Sequence, residues 1–104
     1  MHSYIYIMTN AYNVVLYIGV TSNLETRVRQ HKSESNKNSF AYRHNCNKLV
    51  HNEVFDDIKY AIMREKQLKD WKRAWKDELI SKENPNWNDL ALVWDCRASL
   101  QLCY

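Results

Sequence analysis

The chain has 104 residues and a mass of 12.5 kDa, enough for one domain with a modest core and too little for two. Its composition, 45% hydrophobic and 26% charged with one Gly and one Pro, is that of a folded chain and excludes disordered and collagen-like classes. The net charge of +3 permits a nucleic-acid partner without demanding one, and no apolar run approaches the ~20 residues of a membrane-spanning helix.

Residues 3–9 (SYIYIMT) alternate and are rich in β-formers, and residues 14–20 (VVLYIGV) repeat the pattern, so both read as strands. Asn10, Ala11, Tyr12 and Asn13 between them suit a hairpin loop. A four-residue loop sets Thr9 opposite Val14, Tyr6 opposite Tyr17 and Ile5 opposite Ile18. Ile5, Ile7, Leu16 and Ile18 then share the core face, and Tyr4, Tyr6, Tyr17 and Gly19 share the other.

Ser22-Asn23-Leu24-Glu25 has the form of a capping box and predicts a helix over 23–31. Leu24 and Val28 form its apolar stripe, flanked by Arg27 and His31, which therefore lean towards the sheet. Residues 33–45 are polar and read as a loop, and residues 47–55 (NKLVHNEVF) as a third strand. Asp56 or Asp57 can cap one long second helix, along which Ile58, Ala61, Ile62, Leu68, Trp75 and Leu79 recur at helical spacing. Glu65 and Lys72 fall inside that apolar arc. A carboxylate on a buried face is costly unless something pairs with it, which makes Glu65 the most informative oddity in the chain. The helix ends before Pro85, and Asn84-Pro85-Asn86-Trp87 reads as a turn. Residues 91–104 show no clear period and read as a tail, leaving 1–90 as the single domain.

The N-terminus lacks the basic and apolar regions of a signal peptide, and Cys46, Cys96 and Cys103 form neither a disulfide framework nor a zinc pattern, so the expected location is a reducing cytoplasm. Between Arg64 and Lys76 six basic residues (Arg64, Lys66, Lys69, Lys72, Arg73 and Lys76) meet only two acids, Glu65 and Asp70. Such a run serves as a solvated helix face or as a phosphate-binding surface.

Taken together, Tyr4-Ile5-Tyr6, Tyr17-Ile18-Gly19, Asn23-Leu24-x-x-Arg27-x-x-x-His31 and a later helical Glu65 resemble the GIY-YIG nuclease domain. The run YIGVTSNLETRVRQH carries the resemblance most specifically. The segment KLVHNEVFDDIKYAIMREKQLKDWKRAWKDELI and the NPNW turn are similar to small stand-alone bacterial members. The likeness covers residues 3–90. It implies an α+β fold, a three-stranded antiparallel sheet flanked by helices in the order β-β-α-β-α with a further helix allowed, which agrees with the reading above.

The resemblance also implies the chemistry: a divalent-metal-dependent endonuclease acting on DNA, with a role in repair or recombination. Tyr6 is then the base that activates water. An ordinary tyrosine titrates near ~10, so Tyr6 needs cations or a relay to act near neutrality. Arg27 grips the phosphate, His31 takes up the proton or orients a hydroxyl, and Tyr17 hydrogen-bonds the water or phosphate. Gly19 allows close approach. Glu65 is the ligand for Mg²⁺ or Mn²⁺, a hard cation that keeps several waters. Lys66, Lys69, Lys72 and Arg73 contact the DNA backbone. Read without the resemblance, Glu65 forms an internal salt bridge to Lys69 or Lys72, and the tyrosines form an ordinary cross-strand contact.

The sequence departs from the family pattern in two places: Tyr4 replaces the first Gly, and His44 stands where the stand-alone group has Tyr. Either Asn84 or Asn86 corresponds to the late Asn. A separate DNA-reading domain is not apparent, so recognition rests on phosphate contacts, substrate shape or a partner protein. The alternative functional readings are a non-catalytic nucleic-acid-binding module, a partner-dependent subunit, or a homodimer that uses the tail.

Overall fold

The computed structural model describes residues 2–32 and 45–92. Its elements are strands β1 (Ser3–Thr9) and β2 (Leu16–Thr21), helix α1 (Leu24–Lys32), strand β3 (Lys48–Phe55), and helices α2 (Ile58–Asp70) and α3 (Arg73–Glu83). The strands form an antiparallel sheet in the order β2-β1-β3. The fold is the α+β sheet with flanking helices that the sequence predicts.

Because β1 is central, apolar side chains leave it on both sides. Ile5, Ile7 and Ile18 pack with Ala61, Leu68 and Ile80 of α2 and α3. Tyr6 and Met8 pack with Leu24 and Val28 of α1. Part of the tyrosine face is thus a second core, with Tyr6 only 1% exposed, while Tyr17 and His31 are half-buried and Arg27 is exposed at its edge.

The hairpin register differs from the expected one by two residues. Thr9 pairs with Leu16, so Tyr6 lies opposite Gly19 and Met8 opposite Tyr17. Val14 and Val15 belong to the loop, where their amides donate to the Asn10 side chain at 2.8 and 3.3 Å. The Thr9 hydroxyl donates to the Val15 carbonyl at 2.6 Å, and Asn13 takes the left-handed turn conformation at φ 59°. A slip of two preserves which side chains share a face, so Tyr6, Tyr17 and Gly19 still face one way.

Asn23, not Ser22, caps α1: its side chain accepts from the Thr26 amide at 3.1 Å. Glu25 pairs one turn ahead with Arg29 at 2.6 Å instead of closing a capping box. Asp57 caps α2, accepting from the Lys59 amide at 3.0 Å.

The expected single long helix is two. Trp71 and Lys72 are extended, with ψ of 149° and 152°, so the chain breaks without Gly or Pro. The break lets Trp71, Leu79 and Ile80 pack on the same cluster as Leu68. Arg73 fixes it in place. Its guanidinium donates to the Asn13 and Val14 carbonyls, both at 2.6 Å, and to Asp77 at 2.7 Å.

After α3, the buried Asn84 ties the turn to β3. Its amide donates to the carbonyls of Val50 and Asn88 at 3.1 and 2.9 Å, and its oxygen accepts from the Asn88 amide at 3.0 Å. Asp89 binds the Leu49 amide at 3.1 Å and pairs with Lys32. Ala91, where the sequence reading begins a tail, is buried in the second core. His44 and residues 93–104 lie outside the described residues.

Candidate active site

Three rings meet on the α1 side of the sheet. Tyr6 projects from β1, Tyr17 from β2, and His31 from the last turn of α1. The ring centroids of Tyr6 and Tyr17 are 6.1 Å apart, those of Tyr6 and His31 5.5 Å, and those of Tyr17 and His31 5.1 Å. The Tyr6 hydroxyl lies 2.8 Å from His31 Nε2 and is also hydrogen-bonded to Tyr17.

Gly19 makes room for this arrangement. A Cβ there would stand 2.5 Å from the Tyr6 hydroxyl oxygen and 2.6 Å from its Cζ. The Tyr6 ring is buried and cannot swing aside, so only glycine fits opposite it.

The electrostatics hold both partners neutral. Burial pushes the Tyr6 hydroxyl well above its ordinary value of 10.0; Tyr17 and Glu65 add to the rise, and Arg27 opposes it. Burial pushes His31 below 6.5, and the Arg27 charge pushes it further. Arg27 is exposed one turn before His31 and acts on both groups.

Glu65 comes from the other layer. It stands on α2 between Ala61 and Leu68, which pack against the opposite face of the sheet from Tyr6. Its charge nevertheless contributes to the state of Tyr6. Its side chain is 21% exposed and accepts from Lys69 Nζ at 3.2 Å, an i,i+4 pair with one of the two lysines expected when the helix is read without the resemblance. Among the described residues no group of three or more His, Cys, Asp or Glu could hold a metal ion. A lone carboxylate beside a wet surface suits a hard cation that keeps its waters and adds substrate phosphate oxygens; it does not suit zinc or an all-protein calcium cage.

The basic residues separate. Lys66 and Lys69 are exposed on α2. Lys72 extends over the Trp75 ring, 5.8 Å from its centroid. Arg73 is the latch described above, its donors held by two carbonyls and Asp77. Arg64, counted in the basic run, is bound to Glu53 at 2.9 and 3.1 Å and to Gln67 at 2.6 Å. His51 completes that network at 2.8 Å from Glu53. Glu53 and His51 lie two residues apart on β3, and Arg64 lies nearly two turns into α2. No local motif announces the contact between them.

The GIY-YIG catalytic domain family matches residues 2–78. The chain belongs to the GIY-YIG family. Among its relatives is a UPF0213 protein of Syntrophus aciditrophicus, 36% identical over 80% of this chain and 93% of that one. A UPF0213 protein of Natronomonas pharaonis is 34% identical over 77% of this chain and 92% of its own length. The fold also resembles the solution NMR structure of a UPF0213 protein from Bacillus halodurans. The TM-score is 0.53 at 24% identity, covering 86% of this chain and 93% of that one. The GIY-YIG domain is of nuclease type, and nucleases of this family generally use divalent metals. No helix among the described residues is long and apolar enough to cross a membrane.

Proposed function

We propose that this chain is a divalent-metal-dependent endonuclease that hydrolyses phosphodiester bonds in DNA, selecting substrates by structure in repair or recombination. The observation that carries this reading is the 2.8 Å contact between the Tyr6 hydroxyl and His31 Nε2.

A neutral His31 with its proton on Nδ1 accepts from Tyr6 at Nε2. Tyr6 alone offers no free base, since burial holds its proton on. Coupled to His31 it has somewhere to send that proton. As the attacking water gives a proton to the Tyr6 oxygen, Tyr6 passes its own proton to His31 Nε2. The nascent hydroxide forms a bond to phosphorus and the P–O bond to the leaving oxygen breaks. Tyr17 holds the Tyr6 hydroxyl in line, and Arg27 pairs with the phosphate oxygens. Glu65 would hold Mg²⁺ or Mn²⁺, which would supply charge neutralisation for the phosphate. Lys66 and Lys69 lie on the same helix as Glu65 and contact the flanking backbone.

The test uses the full chain and Glu65→Ala on labelled single-stranded, duplex, nicked and branched DNA, with Mg²⁺, Mn²⁺ or EDTA. The reading requires cleavage by wild type that is lost in EDTA and in Glu65→Ala, with DNA binding retained. DNA binding by wild type with no cleavage of any substrate in either metal would favour the binding-module reading instead.

A further inference from the structure

The break between α2 and α3 builds a second feature that the chemistry above does not use. Trp75, in the first turn of α3, is 51% exposed, whereas Trp87 is buried. Trp75 meets Trp71 edge-on, with centroids 6.1 Å apart and planes at 83°. Trp71, Trp75, Glu78, Leu79 and Lys82 line an open groove of about 420 Å³. Its floor is firm, because Trp71 and Leu79 pack on the main core. Its wall is fixed too, because Arg73 latches the start of α3 to the hairpin loop.

Charge selects the occupant. Lys72 Nζ sits 5.8 Å from the Trp75 centroid, and Lys82 lines the groove one turn after its single acid, Glu78. The groove begins at the end of the helix that carries Glu65. Glu65 pairs with Lys69 on the last turns of α2, and Lys72 and Trp75 follow at the break. An exposed ring with the Lys72 ammonium over it and Lys82 in the same groove matches an unpaired nucleotide: the base takes the place of Lys72 on the ring and the phosphate meets the lysines. A base-paired nucleotide presents no free ring face to stack on.

We propose that Trp75 is a stacking platform for an unpaired base, so that this chain engages single-stranded DNA, or the single-stranded arm of a branched DNA, along α3. The inference rests on the nuclease reading for its biological purpose, but its test does not depend on cleavage. The platform is pre-ordered, so binding costs little reorganisation.

The experiment titrates wild type, Trp75→Ala and Trp75→Phe with an unstructured oligothymidylate, a blunt duplex of equal length, and a duplex carrying a single-stranded flap, in EDTA. Binding is read by anisotropy of the labelled DNA and by tryptophan quenching. Thermal melting checks the fold of each variant. The expected result is a loss of about 5- to 100-fold for the oligothymidylate and the flap in Trp75→Ala, the range measured for base–aromatic stacking. Blunt-duplex affinity stays within about twofold, and Trp75→Phe retains most of the single-strand affinity. Equal single-strand affinity in wild type and Trp75→Ala overturns the proposal, as does an equal loss on all three DNAs. A Trp75→Ala variant that shifts a dimer to monomer in sedimentation, with DNA affinity unchanged, overturns it in favour of a second copy in the groove. If Glu65→Ala leaves cleavage intact while Trp75→Ala loses single-strand binding, the nuclease assignment fails and the platform stands.

Discussion

The Tyr6 hydroxyl and His31 Nε2, 2.8 Å apart, join the central strand to the last turn of the first helix. Each member is displaced from its ordinary titration in the direction the relay needs. The phenol keeps its proton, and the imidazole stays free to accept one.

That pairing sets the pH dependence. Protonated His31 cannot accept from Tyr6, so cleavage falls as the pH drops through the titration of His31. Burial and the Arg27 charge place that titration below 6.5. Above it the rate stays level through pH 8, because Tyr6 remains protonated. Single-turnover rates between pH 5 and 8 check this, and an acid limb centred above pH 7 would contradict it. His31→Gln keeps a hydrogen-bonding side chain but no useful base, and should lower the rate by about 10²-fold or more.

Gly19→Ala drives a methyl group against a buried ring, 2.5 Å from the Tyr6 hydroxyl. The cost is about 1–3 kcal/mol of stability, with cleavage falling further than stability because Tyr6 loses its register with His31. Chemical denaturation and cleavage rates of the same preparation separate the two effects. A variant with wild-type rate and stability would mean that the Tyr6 ring is not held against this strand.

Acid stability should rest on Glu53. Burial alone would raise its carboxyl, but hydrogen bonds from His51 and Arg64 win and hold it at about 2, against 4.5 ordinarily. The unfolded chain therefore takes up this proton first. The contribution is whole above about pH 5 and is lost as the pH falls towards 2. After discounting for partial exposure it is on the order of 1–3 kcal/mol. Urea midpoints at pH 7 and pH 3 measure it. Glu53→Gln should lower the first and narrow the gap between them; an unchanged gap would sink the assignment.

The basic residues should divide by salt dependence. Arg73→Ala should cost about 1 kcal/mol of stability through the lost latch and leave the salt slope of DNA binding unchanged. Lys66→Ala and Lys69→Ala should each reduce that slope by about 1 with little effect on stability. Affinity measured across a series of salt concentrations decides it. A reduced slope in Arg73→Ala would place that side chain on DNA.

The residues of the site were legible because they ride on strong local patterns. Alternation puts Tyr6, Tyr17 and Gly19 on one face, and a two-residue slip leaves that face unchanged. Helical spacing brings His31 towards the sheet. What escaped was set by contacts distant in sequence. The hairpin lost Val14 and Val15 to a loop organised by Asn10. The long helix broke at Trp71 because Arg73 found carbonyls some sixty residues earlier in the chain. Neither partner carries a local breaker signal. Glu65 was legible as a carboxylate in an apolar arc, but of that arc only Ala61, Leu68 and Leu79 pack on the core, on the far face of the sheet from Tyr6, while Ile58, Ile62 and Trp75 are exposed. Periodicity identifies the buried stripe of a helix without saying which side of a two-faced sheet receives it.

The central claim is that Tyr6, working through His31, deprotonates the attacking water. Tyr6→Phe tests it most directly, since it removes one oxygen from a ring that otherwise packs unchanged. The measurement is single-turnover cleavage of the best DNA substrate at saturating enzyme and Mg²⁺, pH 8, with substrate affinity read in parallel. The account predicts a rate at least about 10²-fold below wild type, with affinity and thermal stability nearly unchanged. A Tyr6→Phe enzyme that cleaves at the wild-type rate would contradict it.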